Sequence, residues 1–203
     1  MATPALSTGA SAETTTASNS ARSGTPALTG TVCALAAGAM FTTGITSAYL
    51  SVRNETGASE FVPVAMPFNN YVAVMIASTL ILASIAAGWA VTSMRLGNRR
   101  YASTGFGFAA FMGIAALNLI WFLGVDAKLP VDTGAYTVLF YAMLATAVIM
   151  VVGGLVSSLT GLARVLGGQA TARQPQYALA SAWGQHLALA SWFAIYMTAY
   201  WLK

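Results

Sequence analysis

The chain has 203 residues, of which 57% are hydrophobic and only 7% are charged. An average globular protein has about 25% charged residues, so this composition excludes an ordinary water-soluble domain. The nine Lys and Arg residues outnumber the five Asp and Glu residues, but they lie singly or in threes between apolar runs, which argues against a nucleic-acid-binding protein.

Metal-binding side chains are scarce in this sequence. Cys33 is its only cysteine and His186 its only histidine. One cysteine excludes an internal disulfide and a thiolate cluster. A metal or haem centre needs several N, S or O ligands, so we expect no such centre to be built by this chain alone.

The N-terminal segment, residues 1–28, is rich in Ser, Thr and Ala and contains one Glu and one Arg. It has no apolar run of the length found in signal peptides. A segment of this composition cannot bury enough apolar surface to offset the entropy lost on ordering. We therefore predict a disordered, cytoplasmic, Ser/Thr/Ala-rich tail rather than a cleaved leader.

Five apolar runs follow, each close to the ~20 residues that cross the hydrocarbon core of a bilayer. Pro and Gly residues separate the runs. This pattern predicts an all-α integral membrane protein, in which residues 29–203 form a bundle of five transmembrane helices. The predicted spans are 31–52, 71–94, 105–125, 137–165 and 177–202.

The basic residues between the runs favour one orientation in the membrane. They fall six on one side and three on the other: Arg22, Arg95, Arg99, Arg100, Arg164 and Arg173 against Arg53, Lys128 and Lys203. Cytoplasmic loops are enriched in Lys and Arg. The asymmetry predicts a cytoplasmic N-terminus and a C-terminus on the outer side.

Small residues recur four positions apart within the runs, most clearly where Gly153 and Gly154 precede Ser157 and Ser158. This spacing allows helix backbones to approach closely in lipid. It indicates ordinary packing within the bundle, and the alternative is a docking face for another subunit.

His186 is the only His, Asp, Glu, Lys or Arg inside a predicted span, apart from Arg164 near the end of the fourth. Such residues are functional candidates by default. We expect an interhelical hydrogen bond from His186, with a proton or quinone contact as the alternative, and we expect Asn118 to bond across helices as well. No Asp or Glu lies in a span, which argues against a carboxylate proton relay or a small transporter.

The last helix carries a recognisable pattern: a His, a Trp six residues later, a Tyr eight further on, and another aromatic residue. Here these are His186, Trp192, Tyr200 and Trp201. With this pattern the chain resembles subunit III of haem–copper oxidases (cytochrome c oxidase subunit III) in its short five-helix bacterial form.

Further motifs extend the resemblance over about 170 residues. The first helix closes with a Gly, an aromatic residue and an Arg, which are Gly44, Tyr49 and Arg53. The second helix has a Pro-x-x-Asn pattern and a Ser, which are Pro67, Asn70 and Ser78. The fourth helix has the glycine pair Gly153 and Gly154. The chain departs from the family where polar residues are usual, because it has Ala37-Gly38, Ala147, Met150 and Leu189 at those positions.

The resemblance implies a non-catalytic subunit of an aerobic respiratory terminal oxidase, which supports assembly, lipid binding and stability of the haem–copper subunit. It implies haem and copper in the partner subunits and none in this chain. The implied partners are subunit I, subunit II, membrane phospholipids and a respiratory supercomplex, with no nucleic acid. The implied location is the bacterial plasma membrane rather than the mitochondrial inner membrane. The alternatives are an accessory subunit of another complex, similar to that of nitric-oxide reductase, and a small stand-alone transporter.

Overall fold

The computed structural model of the chain describes the backbone of residues 10–57, 61, 69–129, 134–170 and 175–201. Side chains are described within these ranges from residue 28 to residue 200. Pro67 and residues 1–9 of the predicted tail lie outside the described residues.

The described residues form five helices. Their bounds are α1 Ala10–Thr56, α2 Asn70–Arg95, α3 Arg99–Asp126, α4 Ala135–Leu166 and α5 Gln176–Tyr196, and α5 continues into a π-helical turn at Met197–Trp201. A tight turn at residues 96–98 joins α2 and α3. The all-α fold with five helices is confirmed. The backbone of α1 begins well before the predicted span, and its membrane-compatible part is Leu28–Thr56.

Four of the described helices, α1 to α4, are long and apolar enough to cross a membrane. The chain is therefore a multi-pass membrane protein. Helix α5 is not among these four, and the polar residues Gln185 and His186 lie at its centre. Its 21 residues still reach the length that a span requires, and a fifth crossing stays a prediction.

Helices α2 to α5 form the bundle proper, and α1 lies on its outside. α2 packs on α3 and α5, and α4 packs on α3 and α5, which closes a ring of four helices. α1 packs on α5 and α4, with most of its surface exposed. Its inner side follows a helical spacing, since Thr42, Thr46 and Tyr49 are buried while Phe41, Thr43, Ser47 and Ala48 are exposed.

The ring is held together by small side chains. Gly105 of α3 faces α2, where an added Cβ would lie 2.8 Å from Ala90 Cβ and 3.0 Å from the Ala86 carbonyl oxygen. Gly161 of α4 meets Ser181 of α5 in the same way, at 2.9 Å from its Cβ. Close approach of backbones replaces the hydrophobic force that lipid cannot supply.

One end of the bundle is fixed by Arg99, the first residue of α3. Its Nε donates to the carbonyl oxygen of Val165 at 2.6 Å, and its Nη2 donates to that of Leu166. These carbonyls belong to the last turn of α4, where no helical partner remains for them. Arg99, taken from the sequence as a topology signal, therefore caps the end of α4.

The opposite end carries an aromatic cluster. Tyr49 of α1, Tyr136 and Phe140 of α4, and Phe61 stand at centroid distances of 5.2 to 6.3 Å from one another, mostly edge to face. This geometry suits the ring quadrupoles. The cluster joins α1 to α4 at this end.

The glycine pair of α4 has two different environments. A Cβ on Gly154 would lie 2.7 Å from Gln185 Oε1 and 3.2 Å from Ala188 Cβ, both on α5. A Cβ on Gly153 would have nothing within 4 Å. Close packing at Gly154 is therefore confirmed, and the expectation of close packing at Gly153 is wrong because that position faces open space.

We expect Gly154→Ala to lower the free energy of unfolding by about 1–3 kcal/mol, as overpacking does in well-packed cores. Gln185 cannot easily move aside, because it is buried and bonded to α3. Gly153→Ala is the matched control and should be neutral or slightly stabilising, since Ala favours the helix. Thermal unfolding of both purified variants in detergent checks this, and equal behaviour of the two would contradict the assignment.

Candidate functional site

Three hydrogen bonds join α5 to α2 along their length, and we call this contact the α2–α5 interface. They are Ser84 Oγ with His186 Nδ1 at 2.5 Å, Trp192 Nε1 to the Ala73 carbonyl oxygen at 3.3 Å, and Tyr196 OH to Asn70 Oδ1 at 2.9 Å. The two helices run antiparallel, so residues later in α5 contact residues earlier in α2. Bonds of this kind hold helices together in lipid.

His186 makes the interhelical hydrogen bond expected from the sequence, and its partner is the buried Ser84. The imidazole itself is exposed on the surface of the bundle. Its Nε2 has no hydrogen-bond partner among the described residues. The described residues thus provide a hydrogen-bond partner for only one of the two imidazole nitrogens.

Trp192 is the anchor of the interface. It is 1% exposed and is one of the largest fully buried side chains. Tyr200, four residues beyond Tyr196, stacks on that ring at 5.2 Å between centroids. Trp192 therefore contacts the start of α2, His186 contacts its middle, and Tyr200 stacks on Tyr196. The Trp201 side chain lies outside the described residues.

The remaining motif residues lie apart from this interface. Tyr49 is buried in the aromatic cluster, with Arg53 one turn later on α1. A Cβ on Gly44 would meet nothing within 4 Å. Ser78 is exposed and donates to the Met75 carbonyl oxygen of its own helix at 2.8 Å.

Two other polar residues lie at membrane depth, and one of them, Asn118, differs from expectation. Gln185 is 1% exposed, and its Nε2 donates to the Ala109 carbonyl oxygen of α3 at 3.2 Å, so it joins α5 to α3. Asn118 is exposed on α3 and makes no side-chain hydrogen bond within the described residues. The expectation that Asn118 bonds across helices is wrong, because its side of α3 faces outward.

Asn69 contributes a contact that the sequence reading missed. Its Oδ1 accepts from the Val72 backbone N–H at 3.3 Å, and its Nδ2 lies 3.3 Å from Asp126 Oδ2 at the end of α3. The available signal was an Asn immediately before an apolar run, which is typical of a helix N-cap. This cap fixes the start of α2, and with it the position of Asn70.

A groove runs between α1 and the α4–α5 pair, and we call it the α1 groove. Its apolar section encloses about 320 Å³. The space is left open by the small side chains of its lining, and the larger Leu187 and Met150 bound it. The full lining is Thr31, Ala34, Leu35, Gly38, Ile149, Met150, Gly153, Gly154, Ser157, Ala180, Gly184 and Leu187.

The α1 groove continues into a second section of about 390 Å³, which shares Thr31, Ala34 and Ala180 with the first. The lining of this section includes Arg164 near the end of α4 and Tyr177 at the start of α5. The Arg164 guanidinium carbon stands 4.9 Å above the centre of the Tyr177 ring, a cation–π arrangement. An apolar channel thus leads to a positive charge.

The chain matches no protein-family model and none of the curated proteins. The α2–α5 interface and the α1 groove therefore have to be interpreted from their own chemistry.

We expect Trp192→Phe to lower the free energy of unfolding by about 1–2 kcal/mol, because it removes a buried interhelical hydrogen bond and leaves a small void. Tyr196→Phe removes the bond to Asn70 at the exposed end of the same interface and should cost less. Chemical unfolding of the two variants in detergent measures the difference. A larger loss for Tyr196→Phe would show that Trp192 is not the anchor.

Proposed function

We propose that the chain is a non-catalytic subunit of an aerobic respiratory terminal oxidase, similar to subunit III of the cytochrome c oxidases. In this role it binds the haem-bearing subunit and lipid in the bacterial plasma membrane. Haem and copper belong to the partner subunits I and II, because this chain has one His and one Cys on different helices.

One observation carries this proposal. Three of the residues that suggest the family, Asn70 on α2 and His186 and Trp192 on α5, lie at the α2–α5 interface. Asn70 bonds to Tyr196, and His186 and Trp192 bond to α2. The presence at one interface of family-matching residues from two distant stretches of sequence supports the proposal.

The departures from the family pattern support the lipid-binding part of the proposal. Gly38 and Met150 stand where the family has polar residues, and they lie side by side in the α1 groove, with Met150 Sδ 3.3 Å from an added Cβ on Gly38. The channel is therefore apolar up to Arg164. A phospholipid fits such a channel, with an acyl chain along the small residues and its phosphate at the guanidinium.

A stand-alone transporter is less well supported by the described residues. A transport path requires polar groups that line a water-filled route near the membrane centre. Gln185 and Ser84 instead use hydrogen bonds to join helices, and the apolar section of the α1 groove has only two polar side chains in its lining, Thr31 and Ser157.

For the orientation, we propose that the end of the bundle with Arg95, Arg99 and Arg164 faces the cytoplasm. α2 ends, α3 begins and α4 ends there, so the fold brings these three basic residues to one side. Arg53 lies in the last turn of α1, at the opposite end of the bundle. The positive-inside rule then gives a cytoplasmic N-terminus and an outer C-terminus.

Labelling of single cysteines tests the orientation. In a Cys33→Ser background, Asn98→Cys places a thiol in the turn between α2 and α3. Asn54→Cys places a thiol near the C-terminal end of α1, at the opposite end of the bundle. A membrane-impermeant maleimide added to intact cells should label position 54 and should reach position 98 only after lysis. Labelling of position 98 in intact cells would reverse the orientation.

Purification tests the function itself. A tag on this chain, in cells grown with oxygen and extracted in mild detergent, should retain haem with the absorption spectrum of a terminal oxidase. A tagged, unrelated membrane protein from the same strain is the control. A colourless homo-oligomer would contradict the proposal and favour the transporter.

A further inference from the structure

One side of α5 lies open between α1 and α2. The wheel of α5 places Ser191 towards α1, where its Oγ is 3.1 Å from Thr42 Oγ1, and places Trp192 towards α2. His186, Ala190 and Ala194 lie between these two directions, and all three are exposed. We call these three residues the His186 face.

His186, at one end of the His186 face, lies at the level of the middle of α2, which is long and apolar enough to cross a membrane. His186 lies ten residues after Gln176, about 15 Å along the helix axis, which is half of a ~30 Å hydrocarbon core. Its partner Ser84 lies eleven residues before Arg95, so α2 gives about the same depth. Lipid headgroups and bulk water do not reach this level.

The imidazole has one unused hydrogen-bonding nitrogen at that depth. Nδ1 is paired with Ser84, and Nε2 faces out of the bundle without a partner among the described residues. A neutral imidazole has one N–H donor and one acceptor nitrogen, so either tautomer leaves a polar group exposed. Acyl chains cannot satisfy such a group, and an unsatisfied group in hydrocarbon is strongly unfavourable.

We propose that the His186 face is the docking surface for a transmembrane helix of a partner protein. That helix supplies a hydroxyl, amide or carboxyl side chain that pairs with His186 Nε2 at the membrane centre. Ala190 and Ala194, spaced one helical turn apart, allow its backbone to approach on the side of the face towards α1, while the exposed Phe193 side chain borders the face towards α2. The inference rests on the proposed function only in taking the partner to be a different membrane protein.

A second copy of this chain is a poorer occupant. In a twofold contact the same face of both copies meets, and the only polar side chain of this face is His186. One imidazole would then have to donate while its identical copy accepts, so the two subunits could not be equivalent. A helix with its own polar side chain avoids this conflict.

Photo-crosslinking in cells tests the proposal. The full-length chain carries p-benzoylphenylalanine in place of Ala190, and the matched control carries it in place of Phe111, which is 64% exposed on α3. We expect position 190 to crosslink to a membrane-spanning segment of one other protein, and position 111 not to crosslink to that segment. A product containing two copies of this chain, or no protein product at position 190, would overturn the proposal.

The dependence on His186 separates a specific contact from mere proximity. His186→Leu should reduce the yield at position 190 by about three- to twentyfold, the range of one interhelical hydrogen bond in lipid, and His186→Gln should restore most of it. The double variant Ser84→Ala/His186→Leu removes both partners of the hydrogen bond, so no buried hydroxyl is left unpaired and the protein should stay folded. Gel filtration checks the folding. The double variant should still crosslink poorly. An unchanged yield in these Leu variants would also overturn the proposal.

Failure of this inference and failure of the proposed function give different results. If the tagged chain retains haem but position 190 crosslinks to no other protein, only the docking surface is wrong. If position 190 crosslinks in a His186-dependent manner to a protein that carries no haem and belongs to no oxidase, the docking surface stands and the proposed function fails.

Discussion

The structure depends on one constraint: a polar side chain within a bilayer has to find its hydrogen-bond partner in protein, because lipid offers none. Gln185 finds the Ala109 carbonyl oxygen, Trp192 finds that of Ala73, and His186 finds Ser84. All three lie on α5, the one described helix that is not among the four apolar enough to be candidate spans. Helix α5 is therefore bonded to both α2 and α3, and its polarity holds the ring together.

The same constraint explains why small residues are placed where they are. The bonds from α5 require the helices to approach closely, and Gly154 and Gly161 permit this on the facing side of α4. Gly153, one residue away from Gly154, faces the α1 groove and contributes to its open space instead. Adjacent glycines thus serve packing and cavity formation respectively.

Helix α1 stands apart from the ring in both packing and chemistry. It is joined to the other helices by the Thr42–Ser191 hydrogen bond and by the aromatic cluster around Tyr49, and most of its surface is exposed. A helix held so lightly leaves a groove on one of its sides and the His186 face on the other. A lipid and a partner helix are the occupants that the chemistry of these two surfaces favours.

The sequence by itself determined the class, the number of described helices and most of their bounds, because long apolar runs and their Pro, Gly and Arg boundaries are local features. It also determined that His186 would bond across helices, since a lone imidazole in lipid needs a partner. Only the tertiary structure decided which residues meet: Ser84 with His186, Arg99 with the end of α4, and Gly154 rather than Gly153 with α5. The direction in which a side chain points depends on how neighbouring helices are rotated. In a chain that is apolar on every side, no polar face marks that rotation in advance.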